Sequence, residues 1–266
     1  MSTIHKNDFP RTQNIKAVLR YNGEGFHGWQ FQPGLRTVQG VIQDALAMLA
    51  RQPVTVQGSG RTDAGVHALG QVMSFLWWED EDFELLRRAM SGILKPEIRI
   101  DSLEPASPEF NAQFSATGKR YAYAITTAGE PDPWAGKFAW RIRKGVDMDR
   151  LRALLPRLTG THDFAGFQGG NASPKASTVR TIHSITLSQG GILTPCADEE
   201  QWRLDFHGNG FLYKMVRNIT GTLVDVSRGH VPERRIEELL QSPGPYHGHS
   251  APPHGLALVT VEYGTG

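Results

Sequence analysis

The stretch Gly58-Ser59-Gly60-Arg61-Thr62-Asp63-Ala64-Gly65-Val66-His67 places one acid and one base in a glycine-rich loop between two β-type runs, 54–56 and 71–78. Its glycines let the backbone take positive φ and approach a ligand closely, and a side chain on such a loop is held by the sheet beneath it. An ionised Asp63 so placed can stabilise a cation, add to an electrophilic carbon or take a proton. Arg61, two residues earlier, can hold an anion or keep the carboxylate charged. The same residues also make a plain polar hairpin loop with a local Asp–Arg pair, so the rest of the chain has to decide.

Other constellations carry chemistry of their own. Lys119-Arg120-Tyr121 opens a predicted strand in which Tyr121, Tyr123 and Ile125 share one face, and Arg120 shares the other with Ala122 and Ala124. An aromatic beside cations suits stacking on a base and holding a phosphate; core tyrosines at a charged strand end are the alternative. Gly208-Asn209-Gly210 precedes a helix predicted from Phe211, whose free N–H groups would favour an anion. Lys214 and Arg217 lie three apart and so on one side of that helix. Arg217 falls between Val216 and Ile219, a poor place for a solvated guanidinium, and is expected to face a partner or ligand.

Three further patterns are set aside. His247, His249 and His254 cluster in a Pro/Gly-rich segment with no nearby cysteine or well-spaced carboxylate, and read as loop histidines more than as a metal site. Gly23-x-Gly25-x-x-Gly28 has the spacing of a dinucleotide fingerprint, but Trp29-Gln30 and Pro33 follow where a helix should begin, so a nucleotide cofactor is rejected. Ser59 has no evident His/Asp partnership, which leaves a serine hydrolase unsupported.

The elements that must position these residues repeat. Residues 15–21 alternate as a strand. From the N-cap Thr37, apolar residues at Val38, Val41, Ile42, Ala45, Leu46 and Leu49 form a helical stripe. Strands follow near 53–58 and 71–78, then a helix from about Asp82 that Pro96 ends, then a strand around Ile98, Ile100 and Leu103. The second half gives a strand at Tyr121–Ile125, a helix capped by Asp147 and shortened by Pro156, strands at 181–188 and 202–207, the helix from Phe211, a short helix from Pro232 and a strand at 256–263. Each half is a β-α-β-β-α-β ferredoxin-like unit, which predicts an α+β fold: a flexible segment 1–13, a lobe 14–116 carrying the Asp63 loop, and a lobe 117–266. Loops 22–36 and 162–178 are the expected site walls or lids.

Composition sets the bounds. The 266 residues can bury a substantial core. No apolar run approaches a membrane span, residues 1–13 lack the apolar stretch of a signal peptide, and the single Cys196 fits a reducing compartment, so a cytoplasmic protein is expected. Net charge is +1, but residues 1–116 carry 11 Lys/Arg against 13 Asp/Glu, and residues 117–266 carry 17 against 14. The run Glu79-Asp80-Glu81-Asp82-Phe83-Glu84 holds much of the acid. A modest basic cleft is allowed, not demanded.

In order along the chain, Tyr21-Asn22-Gly23-x-x-Phe26-His27-Gly28-Trp29-Gln30, the Asp63 stretch, Phe110-Asn111-Ala112-Gln113-Phe114-Ser115-Ala116, Lys119-Arg120-Tyr121-x-Tyr123, Gly160-Thr161-His162-Asp163-Phe164, Gly210 to Asn218 and Ala251-Pro252-Pro253-x-Gly255-Leu256 resemble the motifs of the TruA-type tRNA pseudouridine synthases. Departures are Asn22, where the family often has Asp; Asn111 and Gln113, where it often has His and Arg; and the stretch 245–250. The resemblance implies a homodimer of two-lobed subunits, a central antiparallel sheet with a cleft that receives the tRNA anticodon stem-loop, and neither metal nor organic cofactor. It makes Asp63 the catalytic aspartate, packs Tyr121 on the target uracil, and lines that pocket with Arg61, Arg217 and Leu256; Lys119, Arg120 and Lys214 are further expected RNA contacts. Two rival readings are a non-catalytic protein of two RRM-like units, which gives Asp63 no role, and a metal-dependent hydrolase built on His247, His249 and His254.

Overall fold

Thr37 accepts a hydrogen bond from the Gly40 N–H and starts helix α1, Val38–Ala50. Its apolar stripe buries Val38, Ile42, Ala45 and Leu46, each large aliphatic side chain contributing about 1.5–3 kcal/mol. The computed structural model containing it describes residues 10–129, 133–143, 145–170, 177–193 and 200–264. Cys196 and most of the 1–13 segment lie outside the described residues, and Gln13 already belongs to a strand.

Two units emerge: residues up to Ala116 together with those from Leu258 onward, and Thr117–Ala257. In the first, strands β1 (Gln13–Tyr21), β2 (Gln57–Gly58), β3 (His67–Trp77) and β4 (Ile98–Ala106) accompany α1 and α2 (Phe83–Leu94). Their order is β4-β1-β3 with β2 on β3, all antiparallel. Asp82 caps α2 by accepting from the Leu85 N–H, and Glu84 in its first turn pairs with Arg87 and Arg88. Those hydrogen bonds hold the Glu84 carboxyl down at about 2, so the acidic run ends in a helix start whose Glu84 has its own counter-ions. The strand expected near 53–58 shrinks to Gln57–Gly58, because the Val56 carbonyl accepts from the Gln39 side chain of α1, not from a neighbouring strand.

The second unit contains β5 (Ala116–Thr126), α3 (Pro133–Phe138), β6 (Trp140–Arg141), α4 (Met148–Leu154), β7 (Gly160–Asp163), β8 (Val179–Gln189), β9 (Gln201–Gly208), α5 (Met215–Ser227) and α6 (Arg235–Leu240). Strand order is β5-β9-β8-β7, antiparallel throughout, with β6 parallel to β5. Asp147 caps α4, and Pro156 turns the chain into a 3-10 helix over Leu155–Leu158. The helix expected from Phe211 begins only at Met215. Before it, Asn209 donates its N–H to the Thr181 carbonyl and Lys214 takes a left-handed φ of 58°, so Gly208–Gly210 closes a strand-end turn and is no helix terminus for an anion. The short helix expected from Pro232 likewise starts later, after a turn in which Arg235 bonds the Pro232 carbonyl.

The last strand, β10 (Leu256–Tyr263), corrects the expected lobe boundary. From Leu258 it belongs to the first unit, beside β3, where Gly70 leaves room for the Val259 carbonyl. Among the described residues no helix is long and apolar enough to cross a membrane.

Candidate active site

Asp63 and Arg61 stand on the loop from β2 to β3, and that loop is clamped by the segment that follows β1. Trp29 donates its N–H to the Thr62 carbonyl at 3.0 Å, and Gly65 donates to the Phe26 carbonyl at 3.3 Å. The Tyr21 and Thr62 hydroxyls share a buried 2.8 Å hydrogen bond, and Gln71 reaches the Gly60 carbonyl at 2.8 Å. Val66 closes the turn by donating to the Asp63 carbonyl at 3.1 Å. Asp63 is half-buried and Arg61 exposed, while Thr62 between them is buried. The side chains that alternate along the loop are thus divided into one anchor and two groups that reach outward.

The glycines explain the close fit. Gly28 has φ +89°, and a Cβ on it would stand 2.6 Å from the Thr62 carbonyl oxygen. A Cβ on Gly58 would overlap the Trp29 indole. A Cβ on Gly23 would overlap the Val66 carbonyl. Gly23 and Gly28 of the Gly23-x-Gly25-x-x-Gly28 stretch therefore serve contact with the protein's own loop, while Gly25 faces the Glu97 and Arg36 side chains. Loop 22–36, expected as a wall or lid, is this clamp. Sequence reasoning singled out none of Tyr21, Phe26 and Trp29 for this role; the signal was present as large aromatics interleaved with glycines.

In the second unit, Tyr121 is buried on β5, opposite Phe206 and edge-on to Phe211 at 5.2 Å. Tyr123, two residues on, is fully buried and donates its hydroxyl to the Pro252 carbonyl at 2.7 Å. Burial pushes its phenol well above the ordinary value, opposed by the charge of Arg217. Arg217 lies in the first turn of α5, where its Nε donates to the Ala251 carbonyl at 2.8 Å and its own carbonyl accepts from the Ala251 N–H. Asn218 is fully buried and fixes the same turn, donating to the Phe167 carbonyl at 2.8 Å and accepting from Ser250. A Cβ on Gly255 would press on the Tyr123 ring. The segment 250–256 thus ties β5 to α5 and carries buried Leu256. Tyr121, Arg217 and Leu256 are all borne on this tied assembly; Tyr123 and Pro252, present in the sequence motifs but assigned no role there, are the members that tie it.

The weaker expectations divide. Arg120 is exposed on the opposite face of β5 from Tyr121, across from His207, and Lys119 pairs in register with Gly208. Lys214 stands outside α5, with its ammonium 5.2 Å from the centre of the Tyr213 ring. It does not share a helix face with Arg217, because its left-handed backbone ends the regular spiral. The three histidines do not converge. His249 lies edge-on to Trp140 at 5.1 Å, and among the described residues no three His, Cys, Asp or Glu side chains form a group that can hold a metal. Loop 162–178 begins as strand β7 and a 3-10 turn at Ala165–Phe167; residues 171–176 lie outside the described ones.

Comparison with known proteins agrees with the order of the motifs. Residues 17–115 and 155–264 match the family described as tRNA pseudouridine synthase. The chain is 37% identical over 256 residues to tRNA pseudouridine synthase A of Geobacter sulfurreducens, covering 94% of this chain and all of that one. It is 38% identical over 257 residues to tRNA pseudouridine synthase A 1 of Protochlamydia amoebophila, covering 93% and 95%. It is 38% identical over 255 residues to the Solibacter usitatus tRNA pseudouridine synthase A, covering 94% and 100%. With the clamped loop in the first matched segment and α5 and residues 250–256 in the second, the chain belongs to the tRNA pseudouridine synthase family, isomerases that act on uridine in tRNA.

Proposed function

We propose that this chain isomerises uridine to pseudouridine at positions 38, 39 and 40 of the tRNA anticodon stem-loop, with Asp63 as the catalytic carboxylate. The observation that carries the reading is the half-buried Asp63, held on a loop whose backbone is bonded to the 21–29 segment on one side and to Gln71 on the other. A reacting group needs that fixity, since misplacement by about 1 Å costs on the order of 10²-fold in rate.

The reaction breaks the N1–C1′ bond, turns the uracil and joins C5 to C1′. The C5 proton is lost and N1 gains one, so atoms and electrons balance without a redox partner. A base in a stem first leaves its stack at a cost of a few kcal/mol, and Tyr121 replaces that stacking with about 1–3 kcal/mol. The Asp63 carboxylate acts at the C1′ centre, at uracil C6 or on a sugar proton; all three routes need an ionised acid beside the glycosidic bond. Arg61 and Arg217 hold phosphate or the departing uracil anion, and Leu256 supports the base from its apolar side. Lys119, Arg120 and Lys214 add RNA contacts. A homodimer and RNA binding follow from the family resemblance, and a cytoplasmic setting from the single cysteine.

Asp63→Asn tests the reading. It keeps the side-chain shape and removes the charge, so turnover is expected to fall by roughly 10⁴-fold or more, with tRNA binding and thermal unfolding close to native. Tritium release from C5-labelled tRNA at a near-native rate would overturn it.

A further inference from the structure

The turn 110–115 has no part in the chemistry above, yet it is held from four sides within the first unit. Asn14 donates to the Ser107 and Phe110 carbonyls at 2.9 and 2.7 Å. The Tyr263 hydroxyl donates to the Ala112 carbonyl at 2.8 Å, and the Ala112 N–H donates to Ser74 Oγ at 3.2 Å. Gln57 Nε2 donates to Gln113 Oε1 at 2.8 Å. Inside the turn, Asn111 Oδ1 accepts from the N–H groups of both Gln113 and Phe114, at 2.9 and 3.0 Å. On this braced backbone Phe114 stands 80% exposed, more than any other large apolar side chain among the described residues.

A single surface phenylalanine needs no explanation by itself. What sets Phe114 apart is its mounting. Gln57, which grips its neighbour Gln113, pairs with Ser74 across the sheet and immediately precedes Gly58, where the Asp63 loop begins. The ring and the acid are therefore carried on one hydrogen-bonded frame. A ring on a fixed backbone loses little entropy on contact and offers a flat apolar face among polar neighbours, which suits a nucleobase. One ring is far short of the roughly 800 Å² per partner that a stable protein–protein interface buries.

We infer that Phe114 is a stacking contact for an unstacked base of the tRNA substrate, an inference that rests on the tRNA reading above. Losing one stacked base weakens binding by about 5- to 150-fold. The experiment measures the Kd of unmodified tRNA, KM and kcat for Phe114→Ala, Phe114→Leu and Phe114→Tyr, with thermal melting and solution mass of each. Expected are a rise of about tenfold in Kd and KM for the alanine and leucine variants, native kcat at saturating tRNA, unchanged melting and mass, and recovery by tyrosine. Native affinity in Phe114→Ala overturns the inference. So does rescue by leucine equal to that by tyrosine, which indicates apolar packing, or a change of solution mass, which indicates a protein contact. Binding is read separately from turnover, so the two readings fail separately. A native chain that binds through Phe114 and forms no pseudouridine sinks the reaction; native turnover with an indifferent Phe114→Ala sinks the contact alone.

Discussion

Gly28→Ala perturbs the Asp63 loop without touching any group that reacts. Two costs follow from the structure. At φ +89° an alanine is strained, by about 1–3 kcal/mol. Its Cβ would also stand 2.6 Å from the Thr62 carbonyl oxygen and 3.2 Å from the Asp63 carbonyl carbon, so the Thr62–Asp63 peptide must retreat by about half an ångström in a packed interior. Together these lower stability by roughly 2–3 kcal/mol, which a chain of this size registers as a fall of about 5–10 °C in melting temperature. A half-ångström displacement of the carboxylate proposed to react costs on the order of tenfold in kcat, beyond anything due to unfolded protein at 25 °C. The matched control is Gly34→Ala. Its φ is +75° and a Cβ there meets nothing within 4 Å, so it carries strain alone and is expected to melt slightly lower with native kcat. Tritium release at saturating tRNA, with melting curves of both variants, gives the comparison. Native kcat in Gly28→Ala, or equal loss in Gly34→Ala, refutes the claim that Gly28 acts by placing the loop.

Two further outcomes are expected. Burial pushes the Tyr21 phenol up to about 12, so its stabilising contribution is intact below pH 10 and is lost as pH rises toward the folded value; Tyr21→Phe should flatten the decline in urea-measured stability over that window, at a cost of about 1 kcal/mol at pH 7 for the bond lost to Thr62, and a decline as steep as native contradicts this. Gly92 lies exposed in α2 with nothing within 4 Å of a Cβ, so Gly92→Ala should stabilise by about 0.5–1 kcal/mol with unchanged turnover, and a lower melting temperature counts against the helix reasoning.

What was legible in the sequence is what short-range chemistry decides. Thr37, Asp82 and Asp147 each cap the helix that follows, because a side-chain oxygen two or three residues before a free N–H needs no distant partner. Pro156 ends regular helix for an equally local reason. Two of the misread elements turn on a bond from elsewhere in the chain. Val56 gives its carbonyl to Gln39 and leaves the strand. Asn209 gives its N–H to Thr181, which delays α5 to Met215. The run 256–263 alternates well enough to be a strand, but alternation cannot say which unit it completes, and from Leu258 it lies with the first.

The candidate site shows the same division within a single motif. Asp63 and Arg61 stand out by type, but an acid and a base in a glycine loop also make a plain hairpin, and only the order of the other motifs along the chain singles them out. Glycine, by contrast, reports only that something comes close. At Gly23 and Gly28 that something is the Val66 and Thr62 carbonyls, and at Gly58 it is the Trp29 ring. Spacing alone cannot distinguish a phosphate from a carbonyl as the approaching group, since both need an absent Cβ. The deciding residues are the aromatics beside the glycines: Tyr21 and Trp29 are buried with their rings 6.2 Å apart, and the Trp29 indole is the group that Gly58 admits. A glycine-rich stretch interleaved with buried aromatics is therefore better read as a brace for another loop than as a cradle for a cofactor. In this chain the braced loop is the one that carries Asp63.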